Sequence, residues 1–97
     1  MKFEFHPEAE LELIEAGLYY ELEVPGLGAR FEAEVRQATA LLLEQPELGH
    51  STGNGDLRQL VLYRFPFTII YAASRESLYV VALAHHKRLP GYWRSRV

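Results

Sequence analysis

Cysteine is absent from this 97-residue chain, so disulfides and thiolate metal sites are excluded. That absence agrees with a reducing cytosol. Long apolar runs are missing too: nothing approaches the ~20 consecutive residues that span a bilayer. The opening stretch MKFEFHPEAELEL alternates and then turns acidic, unlike a secretory signal. The four histidines (His6, His50, His85, His86) show no i, i+4 pair of the kind that binds zinc on a helix. His85 and His86 are adjacent, and adjacent strand residues point to opposite faces, so no metal site is expected. GHSTGNGD (49–56) lacks the Gly-Lys-Ser/Thr ending of a phosphate loop, and no serine sits in a nucleophile elbow. Repeats, low-complexity tracts and linkers are also lacking. The expectation is one soluble, cytoplasmic domain over residues 1–97, with no cofactor, no metal and no membrane contact.

What is present is an apolar fraction of 48%, enough for a core, and a charge distribution that divides the chain. Residues 1–56 hold three Lys/Arg against twelve Asp/Glu, whereas residues 57–97 hold seven Lys/Arg against Glu76 alone. Such asymmetry suits one face to an anionic partner, either nucleic acid or an acidic protein segment. Acids are also ordinary helix-surface residues, and the helices come first, so the charge alone does not choose.

KFEFH (2–6) alternates as a short strand. Pro7 suits a first helical position, with Glu8, Glu10 and Glu12 favourable near the helix N-terminus. Leu11, Ile14, Leu18 and Leu22 form a helical stripe that Pro25-Gly26 ends. Phe31, Val35, Ala38 and Leu42 mark one face of a second helix, stopped by Pro46. So short a connection predicts an antiparallel helical hairpin. Residues 46–56 read as a loop. The period then falls from 3.6 to 2, and 57–63, 67–73 and 78–85 read as three strands of a meander, with turns at Arg64–Phe67 and Ser74–Ser77. The expected fold class is α+β: βααβββ, a helical hairpin packed on a small, mainly antiparallel four-stranded sheet.

The chemistry-bearing residues gather in the basic half. Arg58, Leu60, Leu62 and Arg64 share one strand parity, and the last strand ends in AHHKRLPGYWRSRV (84–97). If Arg58, Arg64, His85 and Arg88 converge, they make a cationic patch with a group titrating near neutrality. RNA cleavage by its own 2′-hydroxyl needs proton transfer and phosphate neutralisation, which His or Tyr and Arg supply. Aromatic rings beside cations also stack single-stranded bases. The plain alternative is a strand-end histidine, a core tryptophan and solvated arginines.

Taken together, Arg58, the turn Arg64-Phe65-Pro66-Phe67, the strand Ile69-Ile70-Tyr71 and the series from His85 through Trp93 form an ordered set. It is similar to the C-terminal half of RelE/ParE-type toxins of bacterial type II toxin–antitoxin pairs, the plasmid-stabilisation family. The resemblance implies the same βααβββ order and a cognate antitoxin that wraps the toxin in a hetero-oligomer. RelE-like members cut mRNA in the ribosomal A site without a metal, and ParE-like members inhibit DNA gyrase. Carried onto this chain, it implies catalytic positions at Arg64, His85, Arg88 and Tyr92, and substrate-binding positions at Arg58, Lys87 and Arg94. The resulting expectation is a growth-arresting toxin leaning to ribosome-dependent mRNA cleavage. Gyrase inhibition is the alternative, and a non-toxic antitoxin-binding module the second.

Overall fold

The computed structural model describes residues 2–97. In chain order the elements are β1 (Lys2–Phe5), α1 (Pro7–Glu23), α2 (Leu27–Glu44), β2 (His50–Ser51), β3 (Arg58–Val61), β4 (Phe67–Ala73), β5 (Ser77–His85) and a 3-10 turn at Arg94–Arg96. The sheet runs β1-β5-β4-β3-β2, with β1 parallel to β5 and the other pairs antiparallel. The fold is therefore α+β, two helices on a mostly antiparallel sheet, with five strands instead of four. The fifth is β2, inside the segment read as a loop. Two residues carry no periodicity of their own, and they become a strand only because Gln59 and Arg58 lie opposite His50 and Ser51.

Helix α1 starts where Pro7 occupies the first turn and the His6 Nδ1 accepts the Glu8 N–H at 3.0 Å. The chain turns at Gly26, whose φ of 90° is open to glycine at little cost. Gly28 then sets the helix spacing: a Cβ there would lie 2.5 Å from the Gly17 carbonyl oxygen. On α2, Phe31, Val35 and Leu42 are buried as the stripe predicts, with Thr39 beside them.

Helix α1 differs from expectation. Its inward face is Ala9, Leu13, Ala16 and Tyr20, packed into the main core, while Leu11, Ile14, Leu18 and Leu22 face solvent. Both sets have helical spacing. The small Ala9, Ala16 and Gly17 let this helix approach its neighbours closely, and that selects the inner set. Tyr20 then fills the end of the core against Phe31, Phe65 and Phe67 at centroid distances of 5.2, 5.0 and 6.4 Å.

Each face of the sheet has its own core. Tyr71, Ile69, Leu78, Val80 and Leu83 lie under the helices. Leu57, Ile70, Val81 and Ala82 lie on the other face, covered by Trp93. The registers Ile70↔Ala82 and Tyr71↔Val80 leave Val81 as an extra residue, a bulge in β5. The Tyr71 hydroxyl donates to the Pro46 carbonyl (2.7 Å) and accepts from the Gly49 N–H (2.9 Å), which ties the loop after α2 to the sheet.

Candidate functional site

Beyond Val80, whose carbonyl accepts the His6 N–H at 2.8 Å, the outer edge of β5 has no strand neighbour among the described residues. Side chains take over there. Glu12 Oε1 accepts the Leu83 N–H at 3.0 Å, and Arg96 Nη1 donates to the Val81 carbonyl at 3.1 Å. Arg96 also meets both oxygens of Glu12, Nη1 to Oε1 at 2.9 Å and Nη2 to Oε2 at 3.0 Å. A helix carboxylate and a C-terminal guanidinium thus stand in for a missing strand. This satisfies backbone groups that would otherwise be costly to bury.

Tyr92 completes the cluster. Its hydroxyl donates to Glu12 Oε2 at 2.5 Å, and its ring lies under the Arg88 guanidinium at 3.9 Å, with Arg96 at 5.1 Å. Arg88 Nη1 stands 4.0 Å from Glu12 Oε2. Burial acts to raise the Glu12 carboxyl, but hydrogen bonds from Arg96, Tyr92 and the Leu83 N–H outweigh it and hold the group below its ordinary value. Burial and the bond to Glu12 push the Tyr92 phenol well above the usual tyrosine range. At neutral pH Tyr92 is therefore a committed donor.

His85 sits beside this cluster, edge-on to Phe67 at 5.0 Å, in an open cleft of about 400 Å³ shared with Glu12, Tyr20, Lys87 and Arg88. Its Nδ1 accepts the Lys87 N–H at 3.0 Å, so the neutral ring carries its proton on Nε2. His86 points to the other face, with Nε2 3.0 Å from Thr68 Oγ1.

The structure brings His85, Lys87, Arg88 and Tyr92 together, places Arg94 in a second cleft shared with His85, Arg88 and Tyr92, and leaves Arg58 and Arg64 apart. Arg58 turns to the far end of the sheet and donates to the Gly49 carbonyl at 2.8 Å, in a cleft with Glu44 and Arg75. Arg64 lies on the β3–β4 loop, where its backbone N–H donates to Glu34 Oε2 at 2.9 Å, beside a groove along α2. Arg94 is exposed, folded back over Gly91. The four-residue convergence on which the cationic patch depends is not formed.

Sequence reasoning missed Glu12 and Arg96 as partners. Glu12 reads as one of several acids near a helix start, and Arg96 as one of several cations in a basic tail. The one local signal is that Glu12 lies between Leu11 and Leu13, close to the inward face of α1.

Among curated proteins none matches this sequence. Among solved structures, the chromosomal ParDE toxin–antitoxin system from P. aeruginosa is similar, with a TM-score of 0.75 at 15% identity, over 88% of this chain and 95% of that one. At that identity the likeness speaks for the fold. The family described as the ParE toxin of type II toxin–antitoxin systems, parDE, matches residues 3–90. By that match, over nearly all of its length, this chain belongs to the ParE toxin family.

Proposed function

We propose that this chain is the toxin of a type II toxin–antitoxin pair, and that it arrests growth by binding DNA gyrase without a nuclease step. The observation that carries this reading is the state of the proton-handling groups. The Tyr92 proton is held by Glu12, His85 Nδ1 is occupied by the Lys87 N–H, and Arg58 and Arg64 stand in clefts of their own. General acid–base cleavage needs its acid, base and phosphate clamp within hydrogen-bond reach of one substrate group. Binding needs no such convergence, and membership of the ParE family favours it. Pairing with a cognate antitoxin, in a hetero-oligomer, belongs to the same reading and is supported by the ParDE likeness.

mRNA cleavage is the second reading. It rests on His85, Arg88 and Tyr92 meeting at one edge, with Lys87 beside them, Arg94 in the adjoining cleft that His85, Arg88 and Tyr92 also line, and Arg58 as a more distant phosphate contact. Two assays with purified protein separate the readings. The gyrase reading expects inhibited supercoiling and intact mRNA in a reconstituted translation system. Cut mRNA with unaffected supercoiling would overturn it.

A further inference from the structure

Helix α1 is apolar on two sides. Its inner face is consumed by the core, and its outer face presents Leu11, Ile14, Leu18 and Leu22, which are 50%, 47%, 61% and 87% exposed. Spacings of 3, 4 and 4 align these four along one line of the helix, over roughly 16 Å at 1.5 Å per residue. Single exposed leucines need no explanation, but an aligned row of four is a contiguous patch. The fold does not need it, because Ala9, Leu13, Ala16 and Tyr20 already make the inward contacts.

The borders of the row are acidic. On the helical projection Glu8 and Glu15 flank it on one side, and Glu10 and Glu21 on the other. Residues 7–23 contain six glutamates and no lysine or arginine. Among the described residues the ion pairs are Lys2–Glu4, Arg88–Glu12 and Arg96–Glu12, so Glu10 and Glu15 form no ion pair with a cation of this chain, and Glu8 feels Arg96 only at longer range. A second copy laid on the same stripe, parallel or antiparallel, brings glutamate rows against glutamate rows. Like charges in facing rows oppose that pairing.

We propose that the outer face of α1 is a docking surface for a basic amphipathic helix of another protein. Such a helix would carry about three turns of apolar residues at i, i+3 and i+7, bordered by Lys or Arg. The leucines supply the apolar contact, and the unpaired glutamates supply charge complementarity and register. The inference does not rest on the gyrase reading, so the two fail separately.

The test uses the full chain and two synthetic helical peptides with one apolar stripe, Leu at i, i+3, i+7 and i+11. One peptide is flanked by Lys and the other by Glu, and both are titrated by fluorescence anisotropy. The Lys peptide is expected to bind at least about tenfold more tightly, with an advantage that shrinks as salt rises. Leu18→Glu should weaken that binding by about tenfold or more, as loss of a central anchor does. Leu18→Ser, with the melting temperature of both variants measured, separates lost docking from lost folding. Glu8→Gln with Glu15→Gln should remove much of the Lys preference. Equal binding of the two peptides overturns the proposal. So does a concentration-dependent dimer of the free protein that Leu18→Glu dissolves, or a Leu18→Ser variant that fails to fold.

Discussion

Glu12 and Arg96, 84 residues apart in sequence, meet through two hydrogen bonds of 2.9 and 3.0 Å, and together they close the open edge of β5. Their side chains are 13% and 11% exposed, so the pair is largely out of water and screening does little to weaken it. The consequence is a tie between the first helix and the C-terminal turn. Most of the site hangs on that tie.

Removing one partner should cost more than removing both. Arg96→Ala leaves a buried carboxylate and the Val81 carbonyl without a donor, a loss of about 2–4 kcal/mol. Glu12→Gln should cost somewhat less, because its one amide oxygen can still accept the Leu83 N–H while its NH2 donates to the Tyr92 hydroxyl. Urea denaturation of both single variants and the double variant measures the coupling. A double variant as costly as the sum of the singles would show that the two residues act independently.

The tie also sets an acid limit. The folded-state carboxyl of Glu12 lies below its ordinary value of 4.5, so the folded form binds this proton less readily than the unfolded chain does. Its contribution is complete above that ordinary value and is lost as pH falls through the lower folded one. The stability difference between the wild type and Glu12→Gln should be flat from neutral pH down to about 5 and then shrink. A difference that grows toward acid pH would reverse the assigned direction.

Gly28→Ala tests the helix contact. Alanine normally favours a helix interior over glycine by about 1 kcal/mol. Here the added methyl meets the Gly17 carbonyl oxygen at 2.5 Å, and overpacking of that kind costs about 1–3 kcal/mol. A net loss in melting temperature is expected, against a small gain for a glycine replaced in an open helix.

Trp93→Ala probes the second core. Trp93 is 6% exposed and is the lid over Leu57, Ile70 and Val81. Its loss should cost about 3–5 kcal/mol by analogy with other large-to-small changes in cores. The readout is calorimetric unfolding.

His85→Ala bears on mechanism. Under the gyrase-binding proposal, induced expression of this variant arrests growth as the wild type does, and Arg64→Ala behaves alike. Loss of arrest in either variant, with the melting temperature unchanged, would favour the cleavage reading.

Much of the architecture is local, and local physics writes it into the chain. Pro7, Pro25-Gly26, Pro46 and Pro66 punctuate the elements, and the change of period after residue 56 separates helices from strands. Strand boundaries shift by a residue or two: β3 ends at Val61 and β5 begins at Ser77. What periodicity cannot supply is orientation and pairing. Both stripes of α1 have helical spacing, and their composition favours the larger, outer one. The inner one is selected only when Gly28 and the small residues of α1 allow close packing.

The site follows the same division. From the sequence alone come the α+β class, the element order, the acidic first half and the basic second half, because propensity, turn chemistry and hydrophobic period act over a few residues. Only the tertiary structure decides that Arg58 and Arg64 stand apart from His85, that β2 exists, and that Glu12 receives Tyr92 and Arg96. Those contacts join residues up to 84 positions apart, and a hydrogen bond across that span leaves no local pattern for a sequence to display.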